Sequence, residues 1–169
     1  MMRSWAVFDS PVQNALHTIK YRRNIGLADA IAVDMAEFAQ QLNWNVDMLI
    51  PIPLGKARMK ERGYNQVALV AKPLAYELGI RYAPNGVKKV RETRTQVGLT
   101  AAERRENVRA AYQADPSEVK RKSILLMDDV ATTGSTISAC ADALLSAGAS
   151  EVCALTIARA LAHHDLNRV

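Results

Sequence analysis

Two hydrophobic periods alternate along this chain. Leu27, Ile31, Met35, Phe38 and Leu42 recur at spacings of 4, 4, 3 and 4, the apolar face of a helix over about 27–42 that Asn43 ends. Ahead of it, Ser10 followed by Pro11 is a helix start, Ser as cap and Pro in the first turn, which predicts a helix over roughly 11–22. Val46 to Ile50 is a short apolar run closed by Pro51-Ile52-Pro53, which reads as a buried strand leaving a sheet and entering a loop. That loop, 54–65, carries Lys56, Arg58, Lys60, Arg62 and Gly63. Val67, Val70, Leu74 and Leu78 then mark a third helix face, stopped by Gly79. Pro73 lies inside that pattern, where it costs about 3 kcal/mol and predicts a bend or a restart.

Residues 87–90 and 110–114 have strand character, and the segment between them is rich in Arg, Thr and Glu. Within it, Thr100-Ala101-Ala102-Glu103 is a capping box that predicts a short helix from Ala101. The last third is a βαβ unit: an apolar strand over 123–127, a helix over 135–147 capped by Gly148, and a second strand over 152–157. Strands alternating with helices, with no repeat and no linker, predict one α/β domain over 1–169. Its architecture is an open, mainly parallel sheet with helices on both faces.

Length and composition agree with this reading. A chain of 169 residues, 49% hydrophobic and 23% charged, suffices for one packed core and excludes collagen-like and disordered classes. The two cysteines, Cys140 and Cys153, form no CxxC pair, and as isolated residues among apolar neighbours they read as buried reduced thiols. The expected setting is the cytoplasm without membrane insertion, since no apolar run reaches the span of a bilayer. Net charge is +5 but uneven: −1 over 1–53, +3 over 54–80, +6 over 81–122 and −3 over 123–169. A basic middle suits anionic partners such as phosphate esters or nucleic acid, and the scarcity of aromatic residues leaves few platforms for stacking bases.

The chemistry concentrates in Asp128-Asp129-Val130-Ala131-Thr132-Thr133-Gly134-Ser135-Thr136, between strand and helix at the carboxyl edge of the predicted sheet. The segment has two parts with opposite preferences. Ala131, Thr132, Thr133, Gly134, Ser135 and Thr136 offer hydroxyls and unpaired amides at a helix N-terminus, a cradle for one phosphate. Asp128 and Asp129 repel phosphate and suit sugar hydroxyls or a hydrated Mg²⁺. A phosphate at one end and vicinal hydroxyls at the other describe a ribose 5-phosphate. Neither GxxxxGK[ST] nor a GxGxxG following a strand occurs, so a nucleotide P-loop and a dinucleotide fingerprint are excluded. Any one of the nine residues also fits a cap or a turn; together they point to a ligand.

Residues 124–136 resemble the phosphoribosyl pyrophosphate (PRPP) signature of type I phosphoribosyltransferases. Pro51-Ile52-Pro53-Leu54, Glu61-Arg62-Gly63-Tyr64-Asn65-Gln66, the stretch from Arg91 to Leu99 and that from Arg104 to Val108 resemble the ComF (competence protein F, GntX-like) family. Phe8-Asp9-Ser10-Pro11 and Ile19-Lys20-Tyr21 are similar to its N-terminal part, so the resemblance covers nearly the whole chain. It implies a phosphoribosyltransferase-like domain in which 1–45 is the N-terminal helical part of a hood and 46–169 the core. Asp128 and Asp129 would hold the ribose hydroxyls and Ala131 to Thr136 the 5-phosphate. Lys56, Arg62, Gly63 and Arg91 would face the pyrophosphate, and Arg94 and Arg104, with Arg105, would belong to a loop closing over the substrate. Mg²⁺ would arrive with PRPP, without a resident metal site. Relatives in the family often carry a Cys-rich zinc-binding segment ahead of the region that begins here near Phe8, and functions tied to that segment are not carried over.

Two functions follow as expectations. In one, the domain transfers phosphoribose from PRPP to a nitrogenous acceptor with release of pyrophosphate, Arg, Lys and Mg²⁺ stabilising the departing charge. In the other, it is an accessory protein for DNA uptake in natural competence, PRPP-regulated or non-catalytic, that contacts single-stranded DNA or competence proteins. Tyr21 and Tyr64 fit either a base platform or a half-buried anchor. Lys88, Lys89 and Arg91 fit either a nucleic-acid contact or a solvated face.

Overall fold

The computed structural model describes residues 1–91 and 111–160. In chain order its elements are β1 (Met2–Val7), α1 (Ser10–Arg22), α2 (Ile25–Gln41), β2 (Met48–Pro51), α3 (Lys56–Arg62), α4 (Gln66–Glu77), β3 (Arg81–Tyr82), β4 (Val87–Lys89), β5 (Tyr112–Ala114), α5 (Pro116–Val119), β6 (Ser123–Ala131), α6 (Ser135–Ser146) and β7 (Glu151–Arg159). Five strands form one sheet in the order β1-β7-β6-β2-β3, with every neighbouring pair parallel. β4 and β5 pair antiparallel as a separate ribbon. The mainly parallel α/β class read from the sequence is the observed one.

Alternation along the strands places a core on each face of the sheet. Leu49, Leu125, Met127, Cys153, Leu155 and Ile157 point to one side, where they join Leu16 and Ile19 of α1, Ile31 and Met35 of α2, and Val70 and Leu74 of α4. Met48, Ile50, Ile124, Leu126 and Ala154 point to the other, against Ile137, Cys140 and Leu144 of α6 and Val87, Tyr112 and Ala114 of the ribbon. Ala28, Ala32, Ala36 and Ala39 of α2 and Ala71 and Ala75 of α4 are all buried in the first core, small side chains that permit close helix packing. Gly86 brings the ribbon tight onto β2: a Cβ there would stand 2.5 Å from Ile50 Cδ1.

Several boundaries differ from the sequence reading. The N-terminal segment opens with a strand; β1 pairs in register with β7, Met2 opposite Ala154 and Val7 opposite Arg159. The cap of α1 is Asp9, whose side chain accepts from the Val12 amide at 3.2 Å, so Ser10 lies inside the helix. Residues 56–62, read as loop, form α3. α4 runs through Pro73 as one helix, so no restart occurs there; Val70, Ala71, Leu74 and Ala75 around it are buried, and packing offsets the missing backbone donor. β6 continues beyond 127 to Ala131, which puts Asp128 and Asp129 on a strand. The helix expected from Ala101 lies outside the described residues. Cys140 and Cys153 are free and buried, and among the described residues no helix is long and apolar enough to cross a membrane.

Leu126 is fully buried at the centre of β6, paired opposite Ile50 on one side and Ala154 on the other. Leu126→Ala is expected to lower stability by about 2–5 kcal/mol, seen as a lower urea midpoint at unchanged slope.

Candidate functional site

The order of the strands decides where a ligand can bind. From β2 the chain leaves through α4 on one face toward β3, whereas from β6 it leaves through α6 on the opposite face toward β7. Between the adjacent carboxyl ends of β2 and β6 the connections diverge and open a crevice. The Ile52 amide donates to the Met127 carbonyl at 2.8 Å and holds the loop after β2 against the last residue before Asp128. A cleft of about 370 Å³ lies there, lined by Pro53, Leu54 and Gly55 of that loop, Asp128 and Asp129 of β6, and Ser135 and Thr136 of α6. Lys20 of α1, Arg58 and Arg62 of α3, Gln66 of α4, and Lys89 and Tyr112 of the ribbon complete its walls.

The two carboxyl groups are unlike. Because side chains alternate along β6, Asp129 faces the helices that cover Met127, and Asp128 faces the side of Leu126 and α6. Asp129 Oδ2 accepts from Lys20 Nζ at 2.9 Å and from Gln66 Nε2 at 3.0 Å, and Oδ1 accepts from the Val130 amide at 2.7 Å. Burial pushes this carboxyl up, but the Lys20 ammonium, the Gln66 amide and the Val130 N–H outweigh it and hold Asp129 below the usual range, ionised. Burial, and then the charge of Asp129, push Asp128 up to about 7, against the donated bond of the Asp129 amide to its Oδ1 at 2.9 Å. On Asp128 the Lys20 charge also pulls downward, but as the smallest influence. Of the two, Asp129 is the stronger acid, and Asp128 is the one whose protonated form the site favours.

Beside them the turn into α6 is shaped for an anion. Gly134 takes φ 76° as the cap, a left-handed conformation that Gly adopts without a Cβ clash; it has no side chain to offer, and Thr133 Oγ1 accepts from the Ser135 amide at a long 3.4 Å. Thr133 Oγ1 and Ser135 Oγ are 2.8 Å apart, both exposed at the helix N-terminus. On the opposite wall Arg62 donates from Nη1 to Gln66 Oε1 at 2.8 Å, linking it to Asp129 through the amide. Its Nε is buried with no hydrogen-bond partner among the described residues.

A family model described as "Phosphoribosyl transferase domain" matches residues 21–167. The chain belongs to this family. It is 32% identical over 160 residues to the DNA utilization protein YhgH of Salmonella typhimurium, covering 91% of this chain and 70% of that one. Competence protein F of Haemophilus influenzae is 38% identical over 116 residues, and the match spans 68% of this chain and about half, 51%, of the relative. Competence protein ComFC of Bacillus subtilis is 28% identical over 162 residues, covering 93% and 63% of the two chains. The ComF resemblance carried by the sequence motifs is therefore shown. Among solved structures, the glutamine PRPP amidotransferase of B. subtilis superposes with a TM-score of 0.55 at 24% identity, over 78% of this chain and 26% of that one. An allosteric regulatory enzyme of purine biosynthesis gives 0.53, also at 24% identity; both likenesses show the fold.

In this phosphoribosyl transferase domain the sequence-derived residues are distributed as follows. Asp128, Asp129, Ser135, Thr136 and Arg62 line the cleft, and Ala131, Thr132, Thr133 and Gly134 form the turn next to it. Lys56, Gly63 and Arg91 are not among the lining residues: Lys56 starts α3, Gly63 caps its far end at φ 73°, and the Arg91 amide meets the Ala111 carbonyl at 3.4 Å. Folding 56–62 as a helix turns Arg58 and Arg62 inward instead. Arg94, Arg104 and Arg105 lie outside the described residues. Tyr64 is an anchor, its hydroxyl donating to the Ile19 carbonyl at 2.6 Å, whereas Tyr21 is exposed with the Arg62 guanidinium 5.6 Å from its ring centre. Lys20 and Gln66 received no role from the sequence, although both lie in the stretches that resembled ComF.

Asp128 is more basic folded, about 7, than in an unfolded chain, near 3.8. Its contribution therefore falls as pH rises between those values, because the unfolded chain gives up its proton first. Asp128→Asn removes that penalty and keeps an oxygen for the Asp129 amide. The variant is expected to gain on the order of 2 kcal/mol relative to the wild type between pH 5 and pH 8, measured by urea unfolding at each pH.

Proposed function

We propose that this domain binds PRPP with Mg²⁺ in the cleft between β2 and β6 and transfers its phosphoribosyl group to a nitrogenous acceptor, releasing pyrophosphate. The observation that carries this reading is the pair Asp128 and Asp129, unlike in acidity, set shortly before the Gly134 turn into α6 at the divergence of the sheet. Asp129 accepts from hydroxyls and turns phosphate away; Asp128, whose protonated form burial favours, can in that form also donate. The amides and hydroxyls from Ala131 to Thr136 suit the 5-phosphate. The sugar then spans the few residues between them.

The opposite wall suits the leaving group. Arg58, Arg62 and Lys20 line it, with Lys89 of the ribbon also reaching the cleft, and the orphaned, buried Arg62 Nε is a donor in want of an acceptor oxygen. Two carboxyl groups beside a phosphate site fit a cation that keeps most of its waters and is held chiefly by the ligand. When bound, Mg²⁺ would neutralise part of the pyrophosphate charge. In the transfer the bond from the anomeric carbon to the pyrophosphate oxygen breaks, the electron pair leaves with pyrophosphate, and the acceptor nitrogen forms the new bond and loses a proton. The contribution of this chain is to fix the sugar at Asp129 and the phosphates at the two walls while positive charge builds between them.

Calorimetry with PRPP and Mg²⁺ tests this. Wild-type binding is expected, with a loss of at least about tenfold in affinity for the double variant Asp128→Asn, Asp129→Asn. A folded wild type that ignores PRPP would sink the reading.

A second reading, that the domain is an accessory protein of DNA uptake in contact with single-stranded DNA, is favoured by the names of its relatives, which include DNA utilization and competence proteins. Under it, the affinity for a single-stranded oligonucleotide, read by fluorescence anisotropy, falls linearly with the logarithm of salt concentration. Weak binding insensitive to salt removes this reading.

A further inference from the structure

We propose that Lys20 is an anion-binding residue of the cleft: its ammonium rests on Asp129 in the free protein and passes to the diphosphate of the ligand when ligand hydroxyls take Asp129. The residue comes from α1 and lies one position ahead of the stretch 21–167 that matches the family model.

Three observations support an exchange over a fixed structural bridge. First, Asp129 does not depend on Lys20 for its orientation, since Gln66 Nε2 holds the same oxygen at 3.0 Å and the Val130 amide holds the other at 2.7 Å. Second, the Lys20 side chain keeps 23% of its surface exposed, and its four-carbon stem gives the ammonium reach without moving α1. That remaining contact with water lets the ammonium be rehydrated as it leaves Asp129. Third, Lys20 lines the cleft together with Arg58, Arg62 and Lys89, so an anion entering there meets cations from α1, α3 and β4. For the ammonium, a single carboxylate already shared with an amide is the poorer partner than a multiply charged diphosphate. The proposal deepens the PRPP reading and rests on it only for the sugar.

Magnesium-free inorganic pyrophosphate isolates the anion, and PRPP with Mg²⁺ reports the complete ligand. Both are titrated calorimetrically into the wild-type chain, Lys20→Met, Asp129→Asn and the double variant. Lys20→Met is expected to weaken pyrophosphate about tenfold, and Asp129→Asn to tighten it about three- to tenfold by releasing the ammonium. The double variant should match Lys20→Met. The opposite signs separate a ligand contact from a structural bridge, whose two halves would fail in the same direction. Lys20→Met binding pyrophosphate like the wild type overturns the proposal, as does a double variant that keeps the whole gain of Asp129→Asn, since that gain then comes from lost repulsion alone. Should Lys20→Met not fold, a weaker rather than tighter Asp129→Asn overturns it as well. The expected pyrophosphate pattern without PRPP binding leaves Lys20 as an anion site and removes the sugar reading. PRPP binding indifferent to Lys20 removes this proposal alone, and a wild type that binds neither ligand removes both.

Discussion

A buried ionised carboxylate is expensive unless its surroundings replace the water it has lost, and Asp129 obtains those replacements from three separate parts of the chain. The ammonium comes from α1, the amide from α4 and the backbone N–H from β6 itself. Desolvation of such a group costs several kcal/mol, so each donor that compensates it also fixes where its own element lies. Through Gln66 the restraint reaches Arg62, and Arg62 in turn lies over the Tyr21 ring, back on α1. The N-terminal helices, the segment after β2 and the sheet edge are joined around one oxygen atom. That closed circuit gives the cleft its shape.

The two-faced core explains why the circuit forms at that edge. With apolar residues on both sides of β2, β6 and β7, the strands are buried on both faces, as suits parallel strands joined by helical crossovers. Crossovers of one hand from adjacent strands diverge to opposite faces when the chain turns in opposite directions along the sheet. β6 therefore ends on the crevice in a partly buried polar stretch, Asp128 and Asp129, beside the carboxyl end of the fully buried β2. Carrying β6 two residues beyond Met127 sends consecutive aspartates to opposite faces, and this geometric accident of the pleat separates their protonation states.

Much of this was legible in the amino-acid sequence because it is local. The strand–turn–helix of 123–147 announces itself by an apolar run, a cluster of Thr, Gly and Ser and a helical period, and α2 by its regular spacing. What was not legible depends on contacts between distant residues. Met2–Val7 is half exposed and irregular in pattern, and becomes a strand because β7 offers it a partner. Lys20 and Gln66 look like ordinary surface positions of amphipathic helices; only the packing of α1 and α4 on one face of β6 brings them to Asp129. The polar loop expected at 56–62 is helical, which turns Arg58 and Arg62, but not Lys56, to the cleft.

The pairing of β1 with β7 bears on how the chain is made. Thr156 donates to Ser4 Oγ at 2.7 Å across 152 residues of sequence, and Met1 lends its carbonyl to the Ala154 amide. β1 is therefore synthesised well before its partner β7 exists. Until then its unpaired edge is exposed, and contacts of such long range close slowly. Helical contacts such as those between α2 and α4 are shorter in range, but the β1 edge of the sheet closes only once β7 has been made.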